Sequence, residues 1–191
     1  MGTRLEFNNP FSLPKGVPII FVSNHQSMFD IPGLIWYLRN YSPKFVSKKE
    51  LGVGIPSISY NLKKSGAALI DRNKPDQALK EIERLGLFAQ KNKYSIALFP
   101  EGNRSKTGIL KPFKLRGFSK FLECMPQALI VPLAIHSSWK LTRFGYFPIS
   151  FGENVKWNVL KPISLQGDAS YILDLVEAAI RKDLDQKIKT V

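Results

Sequence analysis

The chain reads as an α/β fold, with a mainly parallel or mixed central sheet flanked by helices in a single domain. Short apolar or β-branched runs recur along it, and helical periodicity fills most of the stretches between them. At 191 residues with 44% hydrophobic content, the chain suits one domain with one substantial core. No repeat or low-complexity tract interrupts the pattern.

Residues 1–16, "MGTRLEFNNPFSLPKG", lack a continuous apolar run and read as an N-terminal extension to a core spanning 17–167. Strands are expected at Pro18–Ser23, Lys44–Ser47, Ala67–Ile70, Ser95–Phe99, Leu129–Ile135 and Val155–Val159. The clearest helix runs from about Lys74 to Lys91: Pro75 and Asp76 suit its first turn, and Leu79, Ile82, Leu85 and Ala89 return every three or four residues. In "GFSKFLECM", Phe118, Phe121, Leu122 and Met125 surround Cys124 at helical spacing, which makes it a buried apolar thiol rather than a nucleophile. Pro132, inside "IVPLAI", lacks a ladder donor and marks an edge, a bulge or a strand end. Residues 168–191 form a C-terminal helix with Ile172, Leu175, Val176, Ala179, Ile180 and Leu184 on one face.

Charge narrows the partners. Lys and Arg number 28 against 15 Asp and Glu, a net +13 that calls for an anionic partner: nucleic acid, an acidic membrane surface or a phosphorylated substrate. The single cysteine excludes an internal disulfide, and His25 and His136, the two histidines, are too few for a zinc site of Cys and His ligands; no metal is expected. No apolar stretch approaches the roughly 18–20 residues that cross a bilayer, so any membrane contact is expected to be peripheral.

Open sheets place their sites in loops beyond the strands' carboxyl ends, and three such loops carry reactive or charged residues. "FVSNHQSMFDIP" (21–32) reads strand, loop, helix, with Pro32 in the first helical turn and Asp30 near the N-cap. His25 and Asp30 meet only if the segment between them is a tight turn. These residues alone leave two readings open, a working pair or a capping Asp beside an incidental His. "ALFPEGNRSKTG" (97–108) looks like an anion-binding loop, in which Arg104 can fork onto a phosphate and Gly102 lets the backbone approach a ligand. Lys106, Lys111, Lys114 and Arg116 add positive charge there; a solvated basic loop is the alternative. "SGAALIDRNKP" (65–75) sets Asp71 and Arg72 just past a strand. His136 follows the strand that ends at Ile135 and reads as a satisfied or surface histidine rather than a second base.

Taken together, "NHQSMFD", "GAALIDR", "FPEGNRS" and "IVPLAI" resemble, in order, the four blocks of the glycerolipid acyltransferase family, the bacterial 1-acylglycerol-3-phosphate acyltransferases and their relatives. The resemblance spans residues 24 to 135, with Ala67 and Ala68 where bulkier residues are usual and Asn103 where Thr is usual. It implies transfer of a fatty acyl group from a thioester, acyl-CoA or acyl carrier protein, to the hydroxyl of a lysophospholipid such as lysophosphatidic acid, giving phosphatidic acid with no other cofactor. It makes His25 the general base and Asp30 its orienting carboxylate, and it assigns Arg72, Arg104 and Lys48 to the acceptor phosphate. Glu101 then orients a neighbouring cation or the loop itself, and Gly102 shapes the turn. Acylation of glycerol 3-phosphate or of another lysolipid is the near alternative. A basic nucleic-acid-binding module is the distant one, and the sequence offers it no recognised motif.

Many relatives carry an N-terminal membrane anchor absent from this sequence, so the expectation is a trimmed or naturally short member. It would be cytoplasmic and peripherally bound to an anionic inner membrane face. Trp139, Phe144, Tyr146 and Phe147, interleaved with Lys140 and Arg143, can serve as core or as membrane contact, and "LGVGIPSISYNL" (51–62) has the composition to line an acyl channel.

Overall fold

A computed structural model describes residues 2–52, 60, 62, 64–145 and 147–186. Its seven strands are β1 (Arg4–Asn8), β2 (Ile19–Ser23), β3 (Lys44–Lys48), β4 (Ala68–Ile70), β5 (Ile96–Leu98), β6 (Leu129–His136) and β7 (Asn154–Val159), in one sheet of order β1-β7-β6-β2-β5-β3-β4. Every neighbouring pair is parallel except β6 and β7, so the sheet is mixed. The helices that flank it include α1 (Asp30–Tyr37), α2 (Pro75–Asn92), α3 (Leu115–Cys124) and α4 (Ala169–Gln186).

β2 is buried at all five positions, as a strand covered on both faces must be. Its side chains alternate between two cores: Ile20 and Val22 join Leu85, Phe118, Phe121 and Val176 under α2, α3 and α4, while Ile19 and Phe21 join Leu34, Leu38 and Trp157 under α1. Pro75 opens α2, and Lys93 closes it in the left-handed region (φ 55°) with its N–H on the Ala89 and Gln90 carbonyls. Cys124 is buried, and that burial pushes its thiol up from the usual value, as an apolar rather than reactive site requires.

Two elements differ from expectation. The segment read as an extension contains β1, an edge strand parallel to β7; it is half-exposed and carries no apolar run, which removes the periodic signal. On α4, Ile172, Val176 and Ile180 are buried as expected, but Leu175 is exposed and Leu173 is buried in its stead. At 100° per residue the stripe through Ile172, Val176 and Ile180 passes nearer to Leu173 than to Leu175. Pro132, by contrast, meets one of its three expected settings: it lies inside β6, at a bulge. The antiparallel ladder pairs Leu133 with Val159, yet the next bridge pairs Ile130 with Ile163, so one extra residue bulges opposite the missing donor. Of the stretch 51–62, residues 53–59 and 61 lie outside the described residues, as does Tyr146.

Candidate active site

Five strands in a row, β6, β2, β5, β3 and β4, run parallel, so their carboxyl ends share one edge of the sheet. All the loops singled out from the sequence leave from that edge.

After β2 the chain turns instead of continuing as a helix, and Asp30 begins α1 with its N–H on the Ser27 carbonyl (3.3 Å). Asp30 is not a capping residue. Its fully buried carboxylate reaches back over the loop, where Oδ2 accepts from His25 Nδ1 (2.8 Å) and from the backbone N–H groups of Gln26 (2.7 Å) and Ser27 (2.9 Å). The Oδ1 atom accepts from the Ser138 hydroxyl. These donors take the place of water around a buried anion. With Nδ1 committed to Asp30, the imidazole's other nitrogen, Nε2, is the atom left for chemistry. The ring stacks on Phe99, the residue after β5, at 4.2 Å between centroids and 19° between planes.

The β5 loop is latched to the β2 loop. Buried Glu101 accepts from the His25 N–H through Oε1 (2.6 Å) and from the Lys111 N–H through Oε2 (3.1 Å), while the Ser105 N–H donates to the His25 carbonyl (2.7 Å). Burial pushes the Glu101 carboxyl above the usual carboxylate range, against the pull of those two N–H groups. Glu101 thus ties the loop after β2 to residues on both sides of the β5 turn through backbone N–H groups. Gly102 follows at φ 74°, with its N–H on the Phe99 carbonyl (3.1 Å), a tight turn in a conformation that favours glycine.

The three cations do not share one cleft. Lys48, at the end of β3, and Arg72, past β4, line a cleft of about 280 Å³ with Glu50, Asp71, Asn73 and Asn103, and Arg72 Nη1 donates to Asn103 Oδ1 (2.5 Å). Arg104 lines a second cleft of about 460 Å³ with Ser105, Lys106, Thr107, Ile109 and Lys111, whose Nζ donates to the Arg104 carbonyl (2.8 Å). The clefts meet at consecutive residues of one loop.

His136 is satisfied, as expected: its Nε2 lies 2.7 Å from Asp183 on α4, which also accepts from Asn158 (3.0 Å). The sequence reading missed Asn24, Gln26, Phe99 and Ser138 as parts of the site. The polar run directly after an all-apolar strand was a signal for the first two, whereas Ser138 lies 108 residues from Asp30 with no local signal. Among the described residues no cluster of three or more His, Cys, Asp or Glu could hold a metal ion.

A family model described as "Acyltransferase" matches residues 4–136. The 1-acyl-sn-glycerol-3-phosphate acyltransferase beta of Homo sapiens is 28% identical over 186 residues, covering 94% of this chain and 64% of its own. The chloroplastic 1-acyl-sn-glycerol-3-phosphate acyltransferase BAT2 of Brassica napus is 32% identical over 153 residues, covering 80% of this chain and 43% of its own. The chain thus spans less than two thirds of either relative. The crystal structure of the 1-acyl-sn-glycerophosphate acyltransferase PlsC from Thermotoga maritima shares the fold, with a TM-score of 0.75 at 20% identity over 94% of this chain and 72% of that one.

Proposed function

The chain belongs to the acyltransferase family, and from that premise we propose that it moves a fatty acyl group from a thioester to the free hydroxyl of 1-acylglycerol 3-phosphate, giving phosphatidic acid. The observation that carries this reading is the contact of His25 Nδ1 with the buried Asp30 carboxylate at the carboxyl edge of the sheet. The relatives' names support the choice of acceptor.

In this reading Asp30 holds His25 in the tautomer with its proton on Nδ1, as the carboxylate of a Ser-His-Asp triad does, and the acceptor hydroxyl takes the place of serine. An alcohol is a poor nucleophile near neutral pH. His25 Nε2 takes its proton as the oxygen attacks the thioester carbonyl, a carbon–oxygen bond forms, and the carbon–sulfur bond breaks. The imidazolium, stabilised by Asp30, then returns the proton to the departing thiolate. No covalent acyl-enzyme is needed. Arg72 and Lys48 hold the acceptor phosphate in the smaller cleft, and Arg104 supplies positive charge from the other side of the loop. The donor is acyl-CoA or acyl carrier protein. Among the described residues no helix is long and apolar enough to cross a membrane, in keeping with peripheral contact of this segment with an anionic inner membrane face.

The test is a screen of purified protein with both donors against lysophosphatidic acid, other lysolipids and glycerol 3-phosphate, with His25→Ala and Asp30→Asn alongside. Lysophosphatidic acid is expected to be the best acceptor. The His25 variant should fold and lose roughly 10²–10⁴-fold in turnover, and Asp30→Asn should lower turnover with little effect on acceptor binding. Near-normal turnover in folded His25→Ala removes the reading; a preference for glycerol 3-phosphate changes only the acceptor. Selective nucleic-acid binding with no acyl transfer would favour the binding-module alternative.

A further inference from the structure

We infer that Ser138 is a positioning residue for the reaction: its hydroxyl sets the orientation and charge distribution of Asp30, and through Asp30 the basicity of His25. The inference rests on the acid–base reading of His25 and Asp30 proposed above.

Two observations carry it. The first is how differently the two oxygens of Asp30 are held. Oδ2 has three donors, all from its own loop, whereas Oδ1 has the Ser138 hydroxyl, which arrives from the loop after β6. Both Asp30 and Ser138 are fully buried. A hydroxyl has one proton to give, and the close contact with the charged oxygen takes it in preference to Gln26 Oε1 at 3.4 Å.

The second is how firmly the loop after β6 is tied to the one after β2. The Asn24 side chain bridges the Ile135 backbone in both directions, with Nδ2 on its carbonyl (2.9 Å) and Oδ1 accepting its N–H (2.7 Å). This continues the β2–β6 pairing beyond Ser23 and Leu133. Ser137 then turns the chain in the left-handed region (φ 61°) into the short 3-10 turn Ser138–Thr142, which delivers the hydroxyl to the carboxylate. A residue that only filled space would need none of this aim.

Removing the hydroxyl leaves Oδ1 without its donor, so the carboxylate can turn about its contacts on Oδ2 and hold the imidazole less firmly, while more of its negative charge faces the ring. The imidazolium is then favoured, and the base is neutral only at higher pH. Besides Asp30, His25 interacts among the described residues with the charge of Glu101, from the loop after β5. Glu101 is common to native and altered protein, so a displacement between their profiles reports Ser138.

The experiment compares kcat, acceptor KM and the pH dependence of kcat for the native chain, Ser138→Ala, Ser138→Cys and His25→Ala, with thermal melts of each. Ser138→Ala is expected to keep acceptor KM within about twofold, to lose roughly 10- to 100-fold in kcat, the scale of one hydrogen bond to a charged group, and to move the acidic limb to higher pH. Ser138→Cys, similar in size with a weaker donor, should fall between the two, and it carries the test if the alanine variant does not fold. A folded Ser138→Ala with native kcat and an unmoved limb overturns the inference, as does a drop in melting temperature alone. If His25→Ala retains turnover, the acid–base reading falls and takes this role with it. If His25→Ala is inactive while Ser138→Ala matches the native protein, only the role of Ser138 falls.

Discussion

Arg72 and Arg104 stand in neighbouring clefts, and the two clefts meet at Asn103 and Arg104. With the acceptor phosphate proposed between Arg72 and Lys48, Arg72→Ala should raise acceptor KM by roughly 10- to 100-fold, the worth of one charge-assisted hydrogen bond, and change kcat little. Arg72→Lys should restore only part of this, since an ammonium has no planar fork. Arg104→Ala should also raise acceptor KM, less steeply, because its cleft is the adjoining one. Steady-state kinetics with each substrate varied in turn decide it. A rise in donor KM alone for Arg104→Ala would assign the larger cleft to the thioester. At this scale the sequence was informative wherever a residue sits within a few positions of its partner, as His25 and Asp30 do. It was silent on Ser138 and on which cleft Arg104 lines, because motif order carries no information about which side of a turn a side chain leaves from.

Helix α1 carries Asp30, so whatever seats α1 also seats the site. Gly33, one turn into that helix, lies against the indole of buried Trp157 on β7, and a Cβ there would sit inside the ring's contact distance. Alanine normally favours a helix over glycine by about 1 kcal/mol, but forcing a methyl into a packed core costs about 1–3 kcal/mol. Gly33→Ala should therefore destabilise the protein on balance, lowering its melting temperature by roughly 2–8 °C, and reduce turnover by tilting Asp30 away from His25. A thermal melt settles the sign: an unchanged or higher midpoint would mean that Trp157 swings aside freely. The strands beneath are legible for a related reason. A strand covered on both faces is a continuous apolar run, so β2 and β6 stand out, whereas β1 pairs on one side only and carries no such run. The face of α4 departs from expectation at one residue: Leu173 lies nearer than Leu175 to the stripe through Ile172, Val176 and Ile180, and it is the one buried.

On the scale of the molecule, the net +13 charge and the exposed aromatic side chains lie on a protein whose proposed substrate and product both reside in a bilayer. Trp139, one of the aromatics the sequence groups with them, is partly buried against Gly108, at φ 80°, and so packs on the loop after β5. Phe144, Phe147 and Phe151 are 64%, 89% and 74% exposed, and the Arg143 guanidinium lies over the Phe144 ring at 4.8 Å, an arrangement of cation and apolar surface suited to a headgroup boundary. Each Lys or Arg near an anionic surface contributes about 1 kcal/mol, and this attraction weakens as salt shortens its reach to about 8–10 Å. The protein should therefore co-sediment with vesicles containing anionic lipid at low salt and dissociate progressively as salt rises. Phe147→Ala and Phe151→Ala should remove most of any salt-resistant fraction while leaving the low-salt binding, since the two act through apolar area rather than charge. Retention of that fraction in the double variant would place the insertion elsewhere. Absence of binding even at low salt would mean that this segment reaches its substrate through another part of a longer chain, or that its acceptor is soluble, and the glycerol 3-phosphate arm of the acceptor screen separates those two outcomes.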